Sequence, residues 1–451
     1  MARPSLAALF SLVLAACAAT AHAPSGSQHD AELNVDAGRL IVVTVDNRSQ
    51  PLMSEPGSTP HGYSASGTYT VGDQARSISN ALARDYRLQK VREWPIAPLR
   101  VHCLVFAIPP DADRSEILQR LTSDRRVKLA QPMQLFHALS DSAGASSVHV
   151  NLEVELPAGR APYNDPYFGL QHGFAEMGAT AAQRWSRGEG VRVAIIDTGV
   201  ATSHPDLRGR VAFSRNFIDD DSRAFESDRH GTEVAGIIGA DANNGLGIVG
   251  IAPAVQLVAL KACQPSRPGS MDAVCNSFTL ARALGAALDA HAQIVNLSLG
   301  GPADPLLAQI VSYGVQHGVI FVGAVPENGR IDGFPLSVSG VIAVDVIGRA
   351  ADHPGVLHAP GRDIVSTAPG GSYDFVNGSS FAAAHVTGAI ALLYAQRPDL
   401  SAATLSSVLA RTGTRQPEGD TINVCAALDA IRPGSDCMHT ARSVAAVGTA
   451  R

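Results

Sequence analysis

Three segments of this chain carry a reactive side chain in a setting that could make it work. The apolar run VAIID ends on Asp197, DRHGTEVAGIIGA opens an apolar helical pattern at His230, and NGSSFAAAHVTGAIALL opens another at Ser380. A serine hydroxyl becomes a nucleophile only when a base takes its proton. An imidazole can be that base, provided a carboxylate fixes its tautomer and stabilises the imidazolium. Each residue alone also has a plain structural use, as a cap or a turn residue. Their combination in one stretch of chain, in the order Asp, His, Ser, points to acyl transfer.

Such residues must be held by rigid elements. Around them the strand-like runs VRVAIID, VQLVALKA, QIVNLSL, VIFVGA and VIAVDV alternate with Ala-rich helical segments. Runs this continuous, without polar alternation, are buried on both faces, which predicts a doubly wound α/β domain with a mostly parallel sheet. Functional residues of such sheets sit at the C-terminal strand ends. The helix after Ser380 is apolar nearly all round as far as Tyr394, so it should run through the middle of the domain. Its N-terminus would aim N–H groups and the positive dipole end at a developing oxyanion.

Upstream, residues 39–137 read as a smaller α+β unit. RLIVVTV is a strand, SISNALARDYRLQKV a helix, LRVHCLVFAI a strand, DRSEILQRLTSD a helix and VKLAQPM a strand, with a polar loop from Asn47 to Gly72. Residues 140–166, rich in Ser, Gly and Pro, form an exposed connector. The expected partition is a leader over 1–23, the α+β unit over 24–138, a linker over 139–162, the α/β domain over 163–437 and a tail over 438–451.

The leader has a charged Arg3, an apolar run from Leu6 to Ala16 and small residues after it, as export signals do. Leu14-Ala15-Ala16-Cys17 resembles a lipoprotein cleavage box, in which Cys17 would be acylated; Ala21-His22-Ala23 resembles an ordinary signal cleavage site. Both readings stand. Export makes disulfides the default, and the local spacing pairs Cys263 with Cys275 and Cys425 with Cys437, leaving Cys103 as a buried thiol. The expected location is periplasmic, on the cell envelope as a lipoprotein, or extracellular.

A net charge of −6 with both signs dispersed gives no basic stripe for nucleic acid. After the leader no run reaches the roughly eighteen apolar residues of a membrane span, so a membrane enters only through a lipid anchor. There is no HExxH, no CxxC and no GxSxG, which argues against zinc peptidase and lipase or esterase chemistry. No cofactor is expected. Structural calcium has no contiguous ligand loop behind it, Asp219-Asp220-Asp221 reading as a solvated loop.

The three segments resemble those of the subtilisin-like serine proteases, the subtilases, whereas chymotrypsin-like chains place His first and α/β-hydrolases place Ser first. Asp197-Thr198-Gly199 is similar to the family's Asp motif, His230-Gly231-Thr232 with Val234-Ala235-Gly236 to its His motif, and Gly378-Ser379-Ser380-Phe381-Ala382 to its Ser motif. NNGLGIVGIAPAVQLVALKA, IVNLSLGG and DIVSTAPGG extend the likeness over about residues 163 to 430. The resemblance implies a serine endopeptidase acting on peptides or proteins, with a catalytic triad of Asp197, His230 and Ser380. It makes Ser298, Leu299 and Gly300 a substrate-pairing strand. It also likens the N-terminal unit to a propeptide, an intramolecular inhibitor that the enzyme removes itself; an unrelated accessory domain is the alternative. A monomer is expected.

One departure bears on catalysis. Where the family has an oxyanion-binding Asn, an ungapped count from Gly318 puts Glu327, with Asn328 next to it. An ionised carboxylate there would repel the oxyanion, and losing one such donor costs about 10²–10³ in turnover. Asn328 serves by a one-residue shift, Glu327 serves protonated, or the donor is missing and the fold is a catalytically weak peptide-binding protein. Glu233, where the family often has a second His, and Ala384, where it often has Pro, touch no triad role.

Overall fold

The computed structural model describes residues 32–48, 69–139, 162–219, 221–349, 353–417, 419–435 and 437. The leader with Cys17, most of the polar insertion and the connector over 140–161 lie outside the described residues.

The N-terminal unit contains β1 (Leu40–Asp46), α1 (Asp73–Asp85), β2 (Gln89–Ile96), β3 (Val101–Ala107), α2 (Arg114–Thr122) and β4 (Val127–Pro132). They form an antiparallel sheet in the order β2-β3-β1-β4. β1 and β3 read as continuous apolar runs because the sheet is covered on both faces. Ile41, Val43, Leu104 and Phe106 pack with Leu82 of α1 and Ile117 and Leu121 of α2, whereas Val42, Cys103 and Val105 face the larger unit. Strand β2 corrects the sequence reading, which carried the first helix on through Lys90 and Val91. The helix ends at Asp85, Arg87 turns the chain with φ 56°, and Gln89–Ile96 pairs with β3 at the sheet edge. Edge strands tolerate polar side chains and a proline such as Pro95, so no apolar run marked this one.

Next comes β5 (Leu135–Ala138), which leaves this sheet altogether. The larger unit then contributes β6 (Arg192–Asp197), β7 (Val211–Asn216), α3 (Arg229–Gly239), β8 (Gln256–Lys261), the hairpin β9 (Cys263–Pro265) and β10 (Ala273–Asn276), and α4 (Ser277–Asp289). β11 (Ile294–Leu297), β12 (Leu299–Gly300), α5 (Pro305–Gln316), β13 (Ile320–Ala324), β14 (Val341–Val346), β15 (Leu357–Ala359) and α6 (Ser379–Gln396) complete the frame. Seven strands form one parallel sheet in the order β15-β14-β13-β11-β6-β8-β7. The two-residue period of β6 divides its side chains between layers. Val193 and Ile195 join the core around α6, and Ala194 and Ile196 join the core around α4 and α5.

The N-terminal sheet docks on α4 and α5. Gln131 of β4, itself buried, donates from Nε2 to Asp304 Oδ2 at 2.7 Å and accepts the Leu306 N–H at 3.0 Å. Asp304 is the N-cap of α5, so one side chain from the smaller unit helps to satisfy the end of a helix in the larger. Trp94 of β2 meets Phe278 of α4 edge to face at 6.3 Å, within the range where aromatic pairs attract.

Both expected disulfides are present, Cys263–Cys275 and Cys425–Cys437, and Cys103 is a buried free thiol that burial pushes up to about 12. The folded protein should therefore leave Cys103 unlabelled by iodoacetamide at pH 8, and denaturation without reductant should make Cys103 alkylatable while the four bridged cysteines stay unlabelled. Non-reducing peptide mapping should return the two linked pairs, and a Cys103-linked peptide would contradict this arrangement.

Candidate active site

Asp197 sits at the C-terminal end of central strand β6, where the α/β architecture leaves a crevice. Its Oδ1 accepts the Thr198 N–H at 2.6 Å and meets His230 Nδ1 at 2.7 Å. His230 lies in the first turn of α3 and is fully buried. Burial alone would lower its pKa; the Asp197 carboxylate overrides this and carries the imidazole above the ordinary value of 6.5. The Leu139 backbone acts in the same direction, and so does Glu233, three residues along α3. Glu233 is fully buried, and Arg229 reaches it at 3.0 Å while also holding Asp374 at 2.8 Å. The sequence reading set Glu233 aside, yet its charge bears on the imidazole.

Ser380 opens α6, whose residues from Ser379 to Leu393 are all buried. Gly378 at the N-cap has φ 141°, a conformation that L side chains rarely adopt, and this turn brings the chain into the helix at Ser380. Ser380 Oγ donates to the carbonyl of Leu139, with the Ser298 carbonyl at 3.3 Å. Phe381, the next residue, brings its ring to 5.7 Å from the His230 ring. Asp197 and His230 are thus joined directly, whereas Ser380 Oγ makes no hydrogen bond to His230: it donates to the Leu139 carbonyl, and His230 Nε2 lies buried with no hydrogen-bond partner among the described residues.

Behind the serine runs a buried polar chain. Thr387 Oγ1, two turns along α6, donates to Asn296 Oδ1 at 2.8 Å; Asn296 Nδ2 donates to Ser298 Oγ at 2.8 Å, and Ser298 Oγ to the Ser380 carbonyl at 3.3 Å. Asn296 and Thr387 escaped the sequence reading. A polar residue inside the apolar run QIVNLSL was the signal that could have found the first.

The cleft beside Ser380 is occupied by the chain itself. β5 lies between β12 and β10, antiparallel to both: Ala138 and His137 pair with Leu299 and Gly300, and His137, Phe136 and Leu135 pair with Val274, Cys275 and Asn276. The Leu139 N–H donates to the Ser298 carbonyl at 3.1 Å. Phe136 is fully buried against Phe334, edge to face at 5.6 Å, and a side chain at Gly301 would come within 2.4 Å of its ring. A cavity of about 610 Å³ opens beside it, bordered by Leu139, Gly300, Ala324, Pro326, Asn328 and Phe334 among others. Glu327 and Asn328 follow β13 on an exposed turn. Asn328 borders this cavity and takes the Arg330 N–H on Oδ1 at 3.0 Å.

Among the described residues no group of three His, Cys, Asp or Glu side chains is placed to hold a metal ion, and no helix is long and apolar enough to cross a membrane.

Residues 188–425 match the Subtilase family. Thermitase from Thermoactinomyces vulgaris is 36% identical over 248 residues, which cover 52% of this chain and 85% of that protein. A thermophilic serine proteinase from Bacillus sp. (strain AK1) is 37% identical over 245 residues, covering 52% of this chain and 60% of that one. Among solved structures, fervidolysin from Fervidobacterium pennivorans, described as a keratinolytic enzyme related to subtilisin, superposes with a TM-score of 0.64 at 19% identity, covering 86% of this chain and 60% of its own. That extent reaches well beyond the family-matched segment and likens the N-terminal unit in fold as well.

An NMR titration of the His230 imidazole should give a midpoint above 6.5 in the intact protein. In Asp197→Asn the main opposition to burial is gone, so the midpoint should fall. A midpoint indifferent to the substitution would deny the carboxylate its part.

Proposed function

The chain belongs to the subtilase family and is a serine endopeptidase of the subtilisin type; we propose that Asp197, His230 and Ser380 are its catalytic triad and that it processes its own precursor. His230 Nε2 takes the proton of Ser380 as Oγ bonds to the substrate carbonyl carbon. The tetrahedral intermediate collapses, the C–N bond breaks, and the amine leaves with that proton from His230. A water then gives His230 a proton as it attacks the acyl-enzyme, and Oγ recovers the proton as the acid departs. Asp197 keeps Nδ1 protonated and stabilises the imidazolium throughout.

The observation that carries this reading is the Leu139 carbonyl held on Ser380 Oγ, at the end of a segment paired on both sides. It is the arrangement expected of a cleaved product that has not left. We therefore assign self-processing to the Leu139–Ser140 bond and the role of inhibitory propeptide to the unit ending at Leu139. For the oxyanion we assign Asn328 rather than Glu327, because Asn328 borders the cavity beside Leu139; the backbone N–H of Ser380 at the start of α6 would be its companion. Asp228 and Lys261, a buried ion pair beneath the site, hold its floor: Asp228 Oδ2 also takes the Gly199 N–H at 2.7 Å, two residues beyond Asp197. Two disulfides favour an oxidising compartment, in keeping with an exported precursor. If Cys17 is acylated, cleavage after Leu139 leaves the lipid on the propeptide, and propeptide loss frees the enzyme from the membrane.

Ser380→Ala should remain full-length, whereas the active protein should yield a fragment whose N-terminal sequence starts at Ser140; a different N-terminus would move the site. Because His230 must be neutral to accept the proton, kcat/KM should fall as pH drops through its raised pKa. In an enzyme activated with added protease, His230→Ala and Ser380→Ala should each lower kcat by about 10⁴ or more. Asn328→Ala should lower kcat about 10²-fold with little change in KM, and Glu327→Gln should change either by less than about threefold. The opposite pattern for the last pair would transfer the oxyanion role to Glu327.

A further inference from the structure

We infer that the Cys263–Cys275 disulfide keeps the substrate-pairing edge of the empty cleft in place, and so sets the enzyme's preference for long over short substrates. The inference rests on the reading of Leu135–Leu139 as the occupant of the substrate cleft. The sheet there has the order β12-β5-β10-β9, with β5 inside it. Once β5 departs, β12 is a strand of two residues, and β9 and β10 are left as a hairpin of three and four residues. A two-stranded ribbon of that size is marginal in water.

The disulfide joins the residues that lie directly opposite each other in this hairpin, with their Cα atoms 4.1 Å apart. On its other side Cys275 is the register partner of Phe136. Both cysteines are fully buried, whereas residues 266–269 between them are exposed, so the link lies at the root of the hairpin. The two ends of the link differ in anchorage. Cys263 follows β8 by one residue, and that residue, Ala262, donates its N–H to the Asp197 carbonyl at 2.8 Å. β10 is fixed at its far end by Asn276, which caps α4 through the N–H groups of Phe278 and Thr279, both at 3.0 Å. The cap fixes where β10 ends. The disulfide fixes how far β10 stands from the strand that carries Asp197, and therefore from Ser380.

A peptide reaching the positions of Leu135, Phe136 and His137 would pair with β10; one confined to the positions of Ala138 and Leu139 would not. The test compares Leu-Phe-His-Ala-Leu-p-nitroanilide with acetyl-Ala-Leu-p-nitroanilide on activated enzyme, counted by active-site titration. Wild type should favour the long substrate. In C263S/C275S the ratio of the two kcat/KM values should fall at least about tenfold, through a higher KM for the long substrate, since preorganisation lowers the ordering cost of binding. C425S/C437S, whose disulfide lies outside the β12-β5-β10-β9 sheet, should keep the wild-type ratio. If the serine variant does not accumulate, activated C425S/C437S is reduced and alkylated after folding, and the same fall is expected. An unchanged ratio in an enzyme that favours the long substrate overturns the role of the disulfide and leaves the cleft reading intact. Absence of any preference in wild type overturns both.

Discussion

The hydrogen bond between His230 and Asp197 must persist in a place where neither group reaches water, and much of the larger unit answers that demand. A buried carboxylate and a buried imidazole are each costly alone, and together they need fixed geometry to offset the loss of hydration. β6 supplies Asp197 from the centre of a parallel sheet, and α3 supplies His230 from its first turn. The Thr198 N–H and the Asp228–Lys261 pair hold the loop between them. Because the pair is sealed from solvent, its field is little screened, which is why the carboxylate prevails over burial in setting the charge of the imidazole.

Ser380 is held by a different device, a helix with no solvent face at its start. α6 touches the sheet and α3 and buries every residue of its first four turns. An apolar helix in that position could slide or rotate without much penalty from hydrophobic contact, which has no direction. Hydrogen bonds do have direction, and the chain Thr387–Asn296–Ser298 ties α6 to the end of β11 at a fixed rotation. Each such bond contributes about 1 kcal/mol net, but leaving one partner unsatisfied there costs about 1–3 kcal/mol, so the rotation is well defined.

The parallel sheet, the placing of Asp197, His230 and Ser380 at strand and helix ends, and the two disulfides were legible because they obey strong local rules: continuous apolar runs, motifs at element ends, cysteines at short spacing. Other features had no such local mark. β2 is an edge strand, half of whose residues are polar or charged with no strict alternation, and its pairing with β3 is what makes it a strand. Asn296 and Thr387 look unremarkable until two elements 91 residues apart are stacked. The segment Leu135-Phe136-His137-Ala138-Leu139 carries five residues of no special pattern. Its meaning comes from the two edges it fills, one of them a two-residue strand that no periodicity could reveal. Glu233 was misjudged for a related reason: its charge acts through space on a residue three positions away, and the helix brings them close.

Any chain that replaces Leu135–Leu139 must arrive extended, with hydrogen-bonding groups on both of its edges uncommitted, because β10 and β12 claim one edge each. A residue inside a helix has its N–H and C=O already engaged, and a residue in the middle of a sheet has both edges taken. Folded proteins therefore present this cleft with almost nothing to hold until a stretch of about five residues opens, and the free energy of such local openings ranges from near zero at frayed ends to the full stability in a core. The rate at which an intact target is cut then reports the target's own opening equilibrium as much as the residues at the cut. Among proteins of similar sequence, the least stable loops would be consumed first, and the enzyme would act as a gauge of local foldedness.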